Sequence, residues 1–122
     1  MRARLTGWRV LEPDPIYLET WQPPDPTDFV IDLDFYACPE GEDGADAFTV
    51  RICSPKWFFR HMGDGITSDA GILFMPRFDA RAIIGFLEDA CLSADAETWT
   101  GLAVQLGRIG RWEFDYQLDY IG

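Results

Sequence analysis

The sequence predicts an α+β fold: a small antiparallel sheet with a long hairpin, and helices packed mainly on one face. Apolar and polar residues alternate in the first half of the chain, whereas apolar residues recur at helical spacing in the second half. A hydrophobic share of 48 % in 122 residues is enough for a core without disulfide or metal support. We therefore expect a single domain over residues 1–122.

The chain begins with a short predicted strand over residues 2–10, in which Gly7 is a candidate bulge. Five of the eight prolines fall between residues 12 and 28. Proline fixes φ and removes an amide donor, so this segment is predicted to be an extended or turning connection. Its apolar residues are expected to hold it against the body of the domain; they are Ile16, Tyr17, Leu18 and Trp21.

The segment 29–57 is predicted to form the long hairpin, with side chains alternating between two faces. The inner face is expected to carry Ile31, Leu33, Phe35, Ala37, Phe48, Val50 and Ile52. The outer face is expected to carry Asp32, Asp34, Tyr36, Thr49, Arg51 and Cys53. Arg51 should then lie across from an aspartate of the first strand. The connection 38–47 is too long for a two-residue turn and is predicted to be a bulged or mobile tip.

Ser54 and Pro55 predict a helix start, because serine caps helix N-termini and proline suits the first turn. This helix should end near Met62, before a turn-rich loop over residues 63–71. The short apolar run 72–75 then predicts a further strand.

Asp79 is the predicted N-cap of a second helix. The apolar stripe of that helix contains Ile83, Phe86, Leu87, Ala90 and Cys91. A third helix is predicted to open at Ser93 or Asp95 and to end at Gly107. Its apolar stripe contains Trp99, Leu102, Ala103 and Leu106. The alternation of Trp112, Phe114 and Tyr116 predicts a last strand or an extended arm over the core.

The charge of the chain constrains its partners. The net charge is −11, from 21 acidic and 10 basic side chains. Such a surface repels nucleic-acid phosphates and anionic membranes, and it speeds encounter with a basic protein. We therefore expect a protein partner, no nucleic acid and no membrane.

The cysteines and the hydropathy of the chain indicate where in the cell the protein is located. The three cysteines are far apart and form no CxxC motif, which favours a reducing environment over a disulfide framework. The N-terminus lacks the apolar run of a signal peptide, and no segment approaches the roughly 20 apolar residues of a membrane span. A cytoplasmic location is predicted.

No residue pattern in the chain predicts catalysis. His61 is the one histidine, and a lone histidine after a Trp-Phe-Phe run is more often a packing or helix-terminal residue. Asp32 and Asp34 share a strand face, as paired carboxylates do in acid–base or cation sites. The acidic loop, however, lacks calcium-loop spacing, and no nucleotide-binding or zinc-protease motif occurs. We expect no enzyme, no metal and no cofactor; a small hydrolase using His61 and carboxylates is an alternative.

The carboxylates of the hairpin instead predict a surface that binds a basic protein. The candidate partner-binding residues are Asp32, Asp34, Tyr36, Glu40, Glu42, Asp43 and Asp46. In such a surface, aromatic residues supply affinity and acidic residues speed encounter. The alternative interpretation is a solvated acidic face that only keeps the protein soluble.

Three stretches in order carry a resemblance to a known family. They are FTVRICSPKWF at 48–58, the helix and its tryptophan at 83–99, and LGRIGRWEFDY at 106–116. With these stretches, residues 28–118 resemble the immunity protein 8 family of bacterial polymorphic toxin systems. The Ser-Pro-Lys-Trp and Trp-Glu-Phe elements are its most specific parts.

The resemblance implies a small cytosolic protein that binds and blocks a cognate toxin, without enzyme activity or cofactor. The strand that carries Asp32 and Asp34 and the loop 40–46 are more acidic than the pattern of the family, so the toxin-contacting surface is not carried over from the motif. Trp57, Trp99 and Trp112 are each open to a core or an interface role. An exposed edge strand permits a homodimer as well as a monomer. A non-enzymatic adaptor subunit is a further alternative.

Overall fold

The computed structural model describes residues 1–14 and 16–115, which form five strands and three helices. In chain order these are β1 (Ala3–Glu12), β2 (Val30–Pro39), β3 (Asp46–Cys53), α1 (Pro55–His61), β4 (Ile72–Phe74), α2 (Ala80–Ser93), α3 (Trp99–Leu106) and β5 (Arg111–Trp112). The predicted α+β class is confirmed. Tyr116, the last residue of the predicted tail pattern, lies outside the described residues.

The strands form one sheet in the order β1-β2-β3-β4, with β5 paired to β3 beside β4. The pairs β1–β2, β2–β3 and β3–β5 are antiparallel, whereas β3–β4 is parallel. The parallel pair differs from the predicted antiparallel sheet. It arises because α1 and the loop after it return the chain from the end of β3, so that β4 runs alongside β3 in the same direction.

The long hairpin of β2 and β3 forms as the alternation predicts. Asp32 pairs with Arg51, Leu33 with Val50 and Phe35 with Phe48. The seven residues predicted for the inner face are all at most 2 % exposed. Gly7 lies at a register shift between β1 and β2, as its bulge prediction required.

Two helices cover the inner face of the sheet. Ile83, Leu87 and Cys91 of α2 are buried in the core, as are Leu102, Ala103 and Leu106 of α3. The first helix lies on the other face, where Phe58 of α1 packs edge-on against Phe74 of β4 with 5.1 Å between ring centroids. The helices therefore pack mainly on one face, with α1 as the exception.

Cys53 keeps its predicted outer-face position and is fully buried there, beside Phe74 of β4. Two details of the helices differ from the sequence-based expectations. The third helix starts at Trp99 with Thr98 as its cap, since Ser93 still belongs to α2. Phe86 was expected in the apolar stripe of α2 but is 49 % exposed.

The prediction that apolar residues hold the connection before the hairpin against the domain is correct for Ile16, Leu18 and Trp21 but wrong for Tyr17, which is 80 % exposed. Leu18 is buried, and the Trp21 ring contacts Phe78 edge-on at 5.0 Å. Within the described ranges, no helix is both long enough and apolar enough to cross a membrane.

Candidate partner-binding surface

The outer face of the sheet includes two cross-strand rows in which seven of the eight residues are polar or charged. Glu12, Asp32, Arg51 and Ile72 form one row, from β1 to β4. Arg9, Asp34, Thr49 and Arg111 form the next row, from β1 to β5. Residues directly opposite each other in a sheet share a face and interact. The aspartates of β2 therefore lie among arginines, and the outer face is close to charge balance.

Asp32 is held by the arginine opposite it. The Arg51 guanidinium donates from Nε to Oδ1 at 2.8 Å and from Nη2 to Oδ2 at 3.0 Å. These hydrogen bonds raise the pKa of Arg51 above its ordinary value, so the guanidinium stays charged. The guanidinium also lies over the Trp57 ring, 5.6 Å from its centroid. Trp57 therefore supports an outer-face ion pair from α1.

Asp34 and Tyr36 continue along the same face toward the hairpin tip. The Thr49 hydroxyl donates to Asp34 Oδ1 at 2.6 Å. Tyr36 is half-buried and its ring lies beside Gly7, the residue across from it in β1. The hydrogen-bonding capacity of Asp34 is thus partly used within the sheet.

A groove of about 480 Å³ opens on this face between the sheet and the loop that follows α1. Its charged lining residues are Glu12, Asp32, Arg51, Asp69 and Arg111. Asp69 accepts from the Gly71 amide at 2.7 Å and lies 3.6 Å from Arg111 Nη2. Among the described residues, Glu12 has no ion pair. The groove is therefore a mixed-charge recess suited to polar contacts. We name it the outer-face groove.

The tip of the hairpin carries Glu40, Glu42 and Asp43, all exposed. No described residue forms an ion pair or hydrogen bond with their carboxylates. The backbone of the tip is nevertheless fixed: Gly41 and Gly44 take φ of 85° and 91°, and Arg4 Nη2 donates to the Glu42 carbonyl at 3.1 Å. The tip therefore presents free negative charge on a defined loop. We name these three residues the loop carboxylates.

Asp46, the last of the seven residues predicted to bind a partner, lies at the start of β3 and is bonded to the protein itself. Its Oδ2 accepts from Trp99 Nε1 at 2.7 Å and from Trp112 Nε1 at 3.0 Å. Trp112 is 6 % exposed and Trp99 packs against the core. One carboxylate oxygen thus satisfies two indole donors, and it joins the base of the hairpin tip to α3 and β5.

Several residues in the stretches that resemble the family form hydrogen bonds between different strands and helices. Ser54 is fully buried, and its Oγ accepts from the amides of Phe29 and Trp57 at 3.1 and 3.2 Å. Ser54 thereby caps α1 and joins it to the start of β2. At the other end of the chain, the Ala47 amide donates to Glu113 Oε1 at 2.8 Å and the Glu113 amide donates back to the Ala47 carbonyl at 2.9 Å.

The described part of the chain does not bring its histidine and cysteines together at this surface. The described hydrogen bond of His61 is to the Trp57 carbonyl, at 3.0 Å from Nδ1, and its ring stacks on Trp57 at 4.7 Å. Burial raises the pKa of the Cys91 thiol to about 11 and that of Cys53 above its ordinary value, so both stay protonated near neutral pH. Within residues 1–14 and 16–115, no cluster of His, Cys, Asp or Glu could hold a metal ion.

The protein thus has an α+β fold. The polar residues on the outer face of its sheet form ion pairs and hydrogen bonds with one another, and the loop carboxylates have no partner among the described residues. The chain matches the family described as Immunity protein 8 over residues 8–117, and it therefore belongs to that family. The resemblance inferred from the sequence is thus confirmed, and the match extends further toward the N-terminus than residue 28. No curated protein and no solved structure matches the chain.

Proposed function

We propose that this chain is a cytoplasmic immunity protein that binds a cognate bacterial toxin and neutralises it by protein–protein contact. Its membership of the Immunity protein 8 family over residues 8–117 is the observation that carries this proposal. The net charge of −11 supports a toxin domain of basic character as the partner, with neither nucleic acid nor membrane involved. The chain would act as a monomer or homodimer, without catalysis or cofactor.

The proposed contact surface combines the loop carboxylates with the outer-face residues Asp32, Asp34 and Tyr36. The loop carboxylates have no partner among the described residues, so a basic protein meets them without first breaking an internal contact. Asp32 and Asp34 are already bonded to Arg51 and Thr49, which hold the two carboxylates in place. Their remaining lone pairs can accept hydrogen bonds from the toxin and so determine how it is positioned on the sheet. Asp46 acts indirectly, because its two indole contacts hold the base of the tip in place.

Growth of cells that produce the toxin tests the proposed function. The toxin domain encoded beside the gene of this chain is expressed with the chain or with a version interrupted by an early stop codon. Cells with the intact chain should grow, and cells with the interrupted gene should stop dividing. Equal loss of viability in both cultures contradicts the proposal.

A further inference from the structure

A second groove, apolar in character, lies at the open edge of the sheet between β4 and α2. Its volume is about 250 Å³, and its lining includes Leu73, Phe74, Met75, Ala82, Ile83 and Phe86. No charged residue lines it. It is smaller than the roughly 300–1,000 Å³ of typical small-molecule pockets. Its size and lining suit one apolar side chain of a protein partner. We name it the edge groove.

Exposed aromatic side chains surround β4. Phe74 is 54 % exposed, Phe86 is 49 % exposed and Phe59 is 79 % exposed. Phe58 joins two of them, with its ring centroid 5.1 Å from that of Phe74 and 6.1 Å from that of Phe59. Clustered apolar exposure on a soluble protein marks an interaction surface, whereas single exposed residues do not.

The backbone of β4 is open on the side away from β3. The Gly71 carbonyl accepts from the Arg51 amide at 2.7 Å, and the Met75 amide donates to the Cys53 carbonyl at 3.1 Å. Because backbone groups alternate in direction along a strand, those of Ile72 and Phe74 point away from β3. Within the described residues no strand pairs with that side of β4. The edge can therefore accept an added strand.

The edge groove and the outer-face groove lie next to each other along β4, on opposite faces of the strand. Ile72 lines the outer-face groove, and the next two residues, Leu73 and Phe74, line the edge groove. A strand laid along β4 would alternate its side chains between the two faces, so one side chain would enter the uncharged recess and the next would approach Asp69 in the outer-face groove. That combination is complementary to an apolar side chain with a basic residue next to it.

We propose that an extended segment of the toxin pairs with the open edge of β4 and places an apolar side chain in the edge groove, with a neighbouring lysine or arginine toward Asp69. This inference rests on the proposed function and adds the mode of contact. The toxin, and not a second copy of this chain, is the occupant because two copies each carrying −11 repel, whereas a basic partner is attracted.

Binding of the purified toxin domain to Phe74→Glu and Phe86→Glu tests the inference. Each variant should raise Kd by about tenfold or more through faster dissociation, because it places a charge where an apolar anchor sits. Leu92→Glu is the matched control: it lies on α2, is 59 % exposed, does not line the edge groove and makes the same change in charge. Its Kd should stay within about twofold of wild type.

Two further measurements cover the case in which a glutamate variant misfolds. Phe86→Ser adds no charge and should still weaken binding. Hydrogen exchange on the wild-type protein should show the Ile72 and Phe74 amides protected in the complex and exposed in the free chain, as strand addition requires.

The outcomes separate this inference from the proposed function. If wild type does not bind the toxin, both fail. If wild type binds and the Phe74 and Phe86 variants bind equally well, only the strand-addition mode fails. If the free chain is a dimer by sedimentation and Phe86→Glu dissociates it, the edge groove takes a second copy and the inference is overturned.

Discussion

The acidic residues of one hairpin fall into two settings, the strands and the loop between them. On the strands, Asp32 pairs with Arg51, Asp34 accepts from Thr49, and Asp46 accepts from two indoles. In the loop, the loop carboxylates have no ion pair among the described residues. Residues that look equivalent in the sequence therefore divide into carboxylates that are already bonded within the protein and carboxylates that have no partner among the described residues.

Asp46→Ala should have the largest effect on stability. It leaves the indole N–H groups of Trp99 and Trp112 without an acceptor in a part-buried site. An unsatisfied buried donor costs about 1–3 kcal/mol, so we expect a loss of about 2–4 kcal/mol in the free energy of unfolding. Urea denaturation followed by tryptophan fluorescence measures it.

Asp43→Ala is the control for that measurement. It makes the same chemical change three residues earlier, at an exposed position. Its unfolding free energy should stay within about 0.5 kcal/mol of wild type. Equal midpoints for the Asp43 and Asp46 variants would show that the indole contacts contribute nothing to the fold.

Asp32→Asn should have an intermediate effect. It removes the charge that Arg51 pairs with, but the side chains of Asp32 and Arg51 are 24 % and 39 % exposed, so water compensates much of the loss. Exposed ion pairs contribute about 0–1 kcal/mol, and the expected change in unfolding free energy is within that range. A destabilisation of several kcal/mol would instead place Asp32 with Asp46 among the residues that hold the fold.

Neutralising the loop carboxylates together, as Glu40→Gln, Glu42→Gln and Asp43→Asn, should have the smallest effect on stability. Their side chains make no hydrogen bond to described residues, so the thermal midpoint should be unchanged or slightly raised as self-repulsion falls. A lower midpoint, measured by calorimetry, would mean that these carboxylates support the loop and are not free.

The sequence was sufficient to predict the elements that depend on local patterns. Period-two alternation predicted the hairpin and its inner face, and the Ser54-Pro55 pair predicted the start of α1. Arg51 was correctly placed across from an aspartate, because the tip length and the alternation together constrain the register. The family was also correctly identified, and its model matches residues 8–117.

The contacts that distinguish the two kinds of carboxylate could not be predicted. Asp46 is separated from Trp99 and Trp112 by 53 and 66 residues, and no local pattern indicates which carboxylate an indole will meet. The parallel direction of β4 depends on the path of the chain after α1. Phe86 fits the helical stripe of α2 by spacing, yet it lies at the edge of the sheet, where none of the described strands lies beyond β4 to cover it.

The association rate constant with the toxin domain, measured by stopped flow across ionic strength, tests the central claim most directly. The triple loop variant should associate more slowly than wild type at low salt and show a flatter salt dependence, since it lacks the charges that attract a basic partner. A control with Glu88→Gln, Asp89→Asn and Glu97→Gln changes the net charge equally at exposed positions outside the hairpin and should associate faster than the loop variant. Equal rates for the two variants at every salt concentration would contradict the account.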